Sequence, residues 1–296
     1  MAKIISIVNF IGGVGKTTIS VNLAASLAKL KNKKVLLVDM DPQMNATAYC
    51  VSLNERMEEI IDERKNIYSA MEDWIAQDTK TYNFRKYIFE SVIRVNDKEV
   101  IPNLDLLPGS VEMIEANRLF SKYKKKGKNY YFLLFDILNK LITYDYIIID
   151  TPPSLHLETR NAIIASHGFI LPFTPEPFGH TGLEVLLRNV HRVSLEHQIK
   201  KNYSIKLMGI VFTKVNSRTV IHENFMSLLK ERVKDPTMLN YGIDPKGENV
   251  FQTHFSNLVL YIQSARDHIP IVCMSRNSVN YNKEVLDFTE EVMNRL

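Results

Sequence analysis

The run Phe10-Ile11-Gly12-Gly13-Val14-Gly15-Lys16-Thr17-Thr18 stands directly after the apolar stretch 4–9 and directly before helical spacing over 20–30. A strand that feeds a glycine loop that feeds a helix leaves little choice of architecture or occupant. Glycines let successive backbone N–H groups turn inward without Cβ clashes, and the following helix aims its positive end at the same point. An anion, above all a phosphate, is the group such a loop holds. Lys16 then reaches the outer phosphates, and the Thr17 hydroxyl offers a ligand to Mg²⁺. The strict pattern GxxxxGK[ST] asks for glycine where this chain has Phe10, so the match is to a variant of that loop.

Apolar, β-branched runs recur at 4–9, 34–39, 104–107, 146–150, 169–173 and 206–213, with amphipathic helical patterns between most of them. That alternation predicts an α/β, doubly wound, mainly parallel sheet flanked by helices. Two further strands end in carboxylates: 34–39 runs into Asp39-Met40-Asp41-Pro42-Gln43, and 146–150 into Asp150-Thr151-Pro152-Pro153-Ser154. In a parallel sheet both emerge at the edge that carries the glycine loop. Either aspartate alone also fits a helix cap. The three sites together point to a metal-bound triphosphate. Residues 48–102 break the rhythm, with helices expected at 57–63, 66–75 and 81–91. No glycine- or serine-rich linker isolates them, so they read as a helical elaboration of one domain spanning 1–296.

Composition closes off other classes. Cys50 and Cys273 have no ligand or framework spacing, so neither a disulfide scaffold nor a zinc site is expected, and a reducing cytoplasm fits. No apolar run is long enough to span a bilayer. The segment 282–296 carries Glu284, Asp287, Glu290 and Glu291 against Lys283 and Arg295, a charge balance that an anionic membrane repels. Its Val285, Leu286, Phe288, Val292 and Met293 read as a core-facing stripe. Net charge is +4, from 37 basic and 33 acidic residues, which permits contact with nucleic acid without requiring it.

On the residues 12–18, on Asp39-Met40-Asp41-Pro42-Gln43-Met44-Asn45-Ala46-Thr47, on 150–154, on Thr174-Pro175-Glu176-Pro177-Phe178 and on 209–213 with Asn216-Ser217-Arg218-Thr219, the chain resembles the deviant Walker A partition ATPases, the ParA-type branch related to MinD. The likeness covers essentially the whole sequence. It implies an ATPase with ATP and Mg²⁺ as cofactors, in which ATP promotes a homodimer that binds DNA without sequence preference. A centromere-binding, ParB-like protein or a cargo adaptor then stimulates slow hydrolysis, in the cytoplasm and over the nucleoid. By position, Gly12, Gly13, Val14, Gly15, Lys16, Thr17 and Thr18 hold the nucleotide, Thr18 at the α-phosphate. Thr17 and Asp39 serve the metal, Asp41 positions the attacking water, and Asp150 with Thr151 begins the γ-phosphate switch.

The family's signature lysine belongs where this chain has Ile11, and a branch that positions carboxysomes also lacks that lysine. Arg160, just beyond Asp150, is the basic residue expected to enter the partner's site instead. Met44 replaces a usual glycine and stiffens the loop after Asp41. Lys200, Lys201, Lys214, Arg218, Lys230, Arg266 and Arg276 form the expected DNA-contacting set. A nucleotide-dependent scaffold with little catalysis, and a metabolic P-loop enzyme, are the competing readings.

Overall fold

The computed structural model of the 296-residue chain describes every residue except 53–55, 57, 77–81, 96–97, 100, 177–178, 199–204, 217, 242, 245, 258 and 275–278. Its strands are β1 (Lys3–Ile7), β2 (Val35–Asp39), β3 (Leu104–Leu107), β4 (Tyr146–Asp150), β5 (Gly168–Phe173) and β6 (Lys206–Phe212). They form one sheet in the order β3-β2-β4-β1-β5-β6, and every pair is parallel. The helices between and after them are α1 (Lys16–Lys29), α2 (Asn45–Cys50), α3 (Ile67–Ala76), α4 (Ala116–Lys125), α5 (Leu133–Leu138), α6 (Leu157–Ala165), α7 (Gly179–Gln198), α8 (Val220–Arg232), α9 (Val259–Arg266) and α10 (Val279–Asn294).

The period-2 geometry of a strand sends neighbouring side chains to opposite faces. Ile5, Ile7, Leu37 and Ile148 enter one core with residues of α1, α2 and α10. Ile4, Leu36, Val38, Ile147 and Ile149 enter another with residues of α3, α4 and α5. Continuous apolar runs such as Ile147-Ile148-Ile149 are what a strand covered on both faces requires. The doubly wound, parallel α/β expectation therefore holds.

Four of the six strands end where their apolar runs end, whereas β1 stops two residues early, at Ile7, because a side chain takes over the pairing. Beyond β1, Val8 N–H still donates to the Ile170 carbonyl at 2.9 Å, and then the Asn9 amide reaches the Pro172 carbonyl at 2.7 Å. The Asn9 side-chain oxygen accepts from Ile11 N–H at 3.0 Å, which turns the chain into the glycine loop.

The segment 48–102 is less helical than its pattern suggests. Helix α3 matches the expected 66–75, with Asn66 accepting from Ser69 N–H at 2.9 Å as its cap. The expected helix 57–63 is a short π-helix, Glu58–Asp62, and Met57 lies outside the described residues. Of 81–91 only Phe84–Tyr87 forms a turn of 3₁₀-helix, since Phe89 exchanges backbone bonds with Leu106 at 2.8 and 2.9 Å and draws the chain alongside β3. That pairing covers an edge of the sheet that would otherwise be open. Arg94–Val95 and Lys98–Glu99 add a small antiparallel pair that the sequence reading did not contain.

Helix α10 lies on α1. Val285, Phe288 and Val292 are fully buried, and Met293 packs partly against the same core. The Thr289 hydroxyl donates to the Ser26 hydroxyl at 2.9 Å. Leu286 departs from the expected stripe and is half-buried. No helix among the described residues is long and apolar enough to cross a membrane.

Candidate functional site

The glycine loop occupies the C-terminal edge of the sheet, above β1. Gly13 and Gly15 have φ of +74° and +83°, a left-handed backbone that a Cβ disfavours. Gly15 is also the N-cap of α1, with no side-chain cap bond, so the first N–H groups of that helix face outward for a ligand. The Thr213 hydroxyl, just past β6, donates to the Val14 carbonyl at 2.8 Å and pins the loop from the far side. Lys16 is buried, and its ammonium donates back to the Ile11 carbonyl at 3.1 Å. Burial lowers its pKa, and the nearby Asp150 and Asp41 oppose that shift. A lysine that touches only a carbonyl beside two carboxylates is placed to take up a polyanion at little reorganisation cost.

Register aligns the aspartates. Asp150 is the strand partner of both Ile7 and Asp39, so the carboxylates of β2 and β4 are immediate neighbours. Asp150 accepts from the Thr17 hydroxyl at 2.8 Å and the Ser20 hydroxyl at 2.7 Å. Burial nonetheless pushes its pKa up to about 6. Asp39 accepts from Asp41 N–H at 3.0 Å and from both the N–H and the hydroxyl of Thr47 at 2.8 Å. Burial, and then the charge of Asp150, raise its pKa to about 7. Gly109 leaves room for these carboxylates, since a Cβ would stand 3.0 Å from the Asp39 carboxyl carbon and 3.2 Å from the Asp41 carbonyl oxygen, tight enough to press on both.

The expected partners of the metal are therefore arranged unequally. Thr17 and Asp41 line the cavity, and Asp150 is bonded to Thr17. The Asp39 carboxylate instead faces Thr47, outside the cavity lining, and acts on the site by holding the Asp41 backbone. A hydroxyl that donates its proton to a buried carboxylate keeps lone pairs for a hard cation, which suits Mg²⁺ held by one side chain, water and phosphate oxygens. Among the described residues no cluster of three or more metal-ligating His, Cys, Asp or Glu side chains exists, so a cage made wholly of protein does not compete with that arrangement.

The cavity, about 500 Å³, continues from the loop to a wall that the sequence reading missed, including Tyr49, Phe255, Asn257, Tyr261 and Ile262. An apolar and aromatic wall next to a phosphate loop offers a flat, weakly polar group a place to lie. The wall is built by acidic side chains of α10. Glu284 accepts from the Tyr261 hydroxyl at 2.8 Å and from Ser256, and Glu291 accepts from Gln252 N–H at 2.8 Å and Thr253 N–H at 2.7 Å. From the other side Asn22 of α1 donates to the Tyr49 hydroxyl at 3.0 Å, which pairs with the Ser264 hydroxyl at 2.6 Å. No local pattern signals this wall, because Phe255, Asn257, Tyr261 and Ile262 stand about 240 residues along the chain from the glycine loop.

Other expected residues are dispersed. Ile11 is 46% exposed on the outer lip of the loop. Arg160 donates to the Leu155 carbonyl at 3.2 Å and to the Tyr131 hydroxyl at 3.4 Å, and is not part of the cavity lining. Of the expected DNA-contacting set, Lys200, Lys201 and Arg276 lie outside the described residues. Arg218 is exposed, Lys230 is half-buried, and Arg266 pairs with Asp267 at 3.0 Å. Lys214 is in the cavity lining.

Comparison with known proteins agrees with this fold. The family model described as "AAA domain" matches residues 2–206. The sporulation initiation inhibitor protein Soj of Bacillus subtilis is 33% identical over 236 residues, 79% of this chain and 81% of that protein. A plasmid partition protein of Borrelia burgdorferi B31, solved bound to AMPPNP, superposes with a TM-score of 0.68 at 24% identity, covering 100% of both chains. Cobyrinic acid a,c-diamide synthase of Mycobacterium smegmatis, solved with an ATP analogue and magnesium, gives 0.58 at 25% identity over 78% of this chain and 83% of that one.

Proposed function

Because the chain belongs to the AAA-domain family, in its ParA-type branch, we propose that it is an ATP-driven dimerising switch that binds duplex DNA without sequence preference and segregates DNA or positions a cargo on it. The observation that carries the reading is the convergence of Lys16, Thr17 and Asp41 on one cavity, with Asp150 bonded to Thr17 behind them. Lys16, the loop N–H groups and the start of α1 would bind and orient the triphosphate, and Thr17, with Asp150 bonded behind it, would hold the Mg²⁺ that neutralises it. Asp41 is poised at the cavity to orient a water. Burial raises its pKa, while the Gln43 N–H and Lys16 pull it back toward the ionised form that this role needs.

Superposition along the full length of a partition protein, against 78% of this chain for the synthase, favours the switch over a metabolic enzyme. On this reading a centromere-binding protein or a cargo adaptor accelerates hydrolysis and releases the DNA. The test uses three chains: wild type, Lys16→Ala and Asp41→Asn. Wild type should retain Mg·ATP, associate into dimers, bind arbitrary duplex DNA at low salt and hydrolyse slowly. Lys16→Ala should lose all four properties, and Asp41→Asn should lose turnover alone. Equal DNA affinity with and without ATP would refute the switch.

A further inference from the structure

Lys214 was grouped by sequence with surface cations, yet its position is that of a built residue. It follows Thr213, whose N–H donates to the Phe173 carbonyl at 2.9 Å and whose hydroxyl holds the loop at Val14. It precedes Val215, whose N–H donates to the Phe255 carbonyl at 3.0 Å and whose carbonyl accepts from Asn257 N–H at 2.9 Å. Between these anchors Lys214 has φ of +53°, a left-handed conformation that few residues other than Gly, Asn and Asp adopt. The kink throws the side chain across the glycine loop. Its ammonium lies 3.9 Å from where a Cβ on Gly13 would stand, and no carboxylate among the described residues pairs with it. It thus bridges the two halves of the cavity, the phosphate loop on one side and the Phe255–Asn257 wall on the other.

We propose that Lys214 is a nucleotide-binding residue acting within its own chain, its ammonium lying over Gly13 to neutralise the polyphosphate of the bound nucleotide. Lys16 supplies a cation from inside the loop and Lys214 one from outside it. The chain thereby holds two ammonium groups at the polyphosphate although Ile11 brings none. The inference rests on the nucleotide reading above and adds a residue to it. The competing role is contact with DNA phosphates, which needs the same charge but not this placement.

Three full-length variants decide it: Lys214→Ala, Lys214→Arg and Lys214→Gly. Affinities for fluorescent Mg·ATP and Mg·ADP analogues are measured without DNA, and thermal melts accompany them. Removal of one charge-assisted contact should weaken both nucleotides about tenfold in Lys214→Ala and in Lys214→Gly. The deficit should shrink as salt is raised. Lys214→Arg should retain most of the affinity. Glycine accepts the left-handed backbone, so Lys214→Gly should melt no lower than wild type and separate lost binding from lost structure. Wild-type affinity in Lys214→Gly overturns the proposal, and a defect confined to duplex DNA assigns the residue to DNA instead. If wild type itself binds neither nucleotide, the underlying nucleotide reading fails, a result distinct from either of these.

Discussion

Replacing Thr47 by valine tests how the buried carboxylates are held. The Thr47 hydroxyl donates to Asp39 at 2.8 Å and accepts from Gly109 N–H at 2.8 Å, and the Thr47 side chain is fully buried. Valine has the same shape and neither bond. Loss of a hydrogen bond to a carboxylate costs about 1.5–3 kcal/mol, and stranding a buried N–H costs about 1–3 kcal/mol. The added methyl returns about 0.8 kcal/mol. The net loss is about 3 kcal/mol, which for a chain of this size lowers Tm by about 6 °C. Thr47→Ser keeps the hydroxyl and gives up one buried methyl, a loss of about 1 kcal/mol. Urea and thermal unfolding of the nucleotide-free protein at pH 8, where Asp39 is mainly ionised, should therefore rank wild type above Thr47→Ser above Thr47→Val. If serine proves more damaging than valine, packing and not hydrogen bonding dominates at this position, and the account of how Asp39 is held is wrong.

Gly15→Ala places a Cβ at φ +83°, with Thr213 atoms at an ordinary 3.6 Å, so backbone strain and not collision sets its effect. It should cost about 1–2 kcal/mol of stability and, by shifting the loop N–H groups, at least about tenfold in Mg·ATP affinity by calorimetry. Met44→Gly relieves a left-handed backbone (φ +54°) but empties a buried site, since Met44 is 7% exposed. Loss of a buried methionine costs about 2–5 kcal/mol against about 1 kcal/mol of relief, so the variant should unfold at lower urea; a higher midpoint would contradict this balance. Glu284→Ala should loosen the aromatic wall and weaken ATP about tenfold while leaving pyrophosphate binding unchanged, and equal losses for both ligands would remove the wall from nucleotide recognition.

Local signals carried far in this chain. Isoleucine and valine runs located the sheet, and the glycines with Lys16 and Thr17 located the loop, because both depend on residues adjacent in sequence. Failure began where distant segments compete. Phe89 looked helical by spacing and pairs with Leu106 instead. Glu284 and Glu291 showed in sequence only as charges that an anionic membrane repels, and they hold Gln252, Thr253, Ser256 and Tyr261. Asp39 and Asp41 stand two residues apart, a spacing that a continuing strand would put on one face, yet β2 ends at Asp39 and the turn beyond it leaves Asp41 at the cavity while Asp39 faces Thr47. Lys214 was one of many cations until the end of β6 brought it over Gly13. Asn22 and Ser20 had no visible role in a helix pattern, though the first holds Tyr49 and the second Asp150.

The wall around Phe255 and Tyr261 is held by α10, and the phosphate loop by β1 and α1, so the two halves of the cavity are translated far apart in time. A nascent polypeptide that has passed β6 through Lys214 owns the phosphate cradle and half a binding site. A tight hold on the ligand thus arrives late during synthesis, and a premature stop ahead of α10 leaves a protein that carries every signature residue of the loop yet has a Phe255–Tyr261 wall without the Glu284 and Glu291 contacts that hold it.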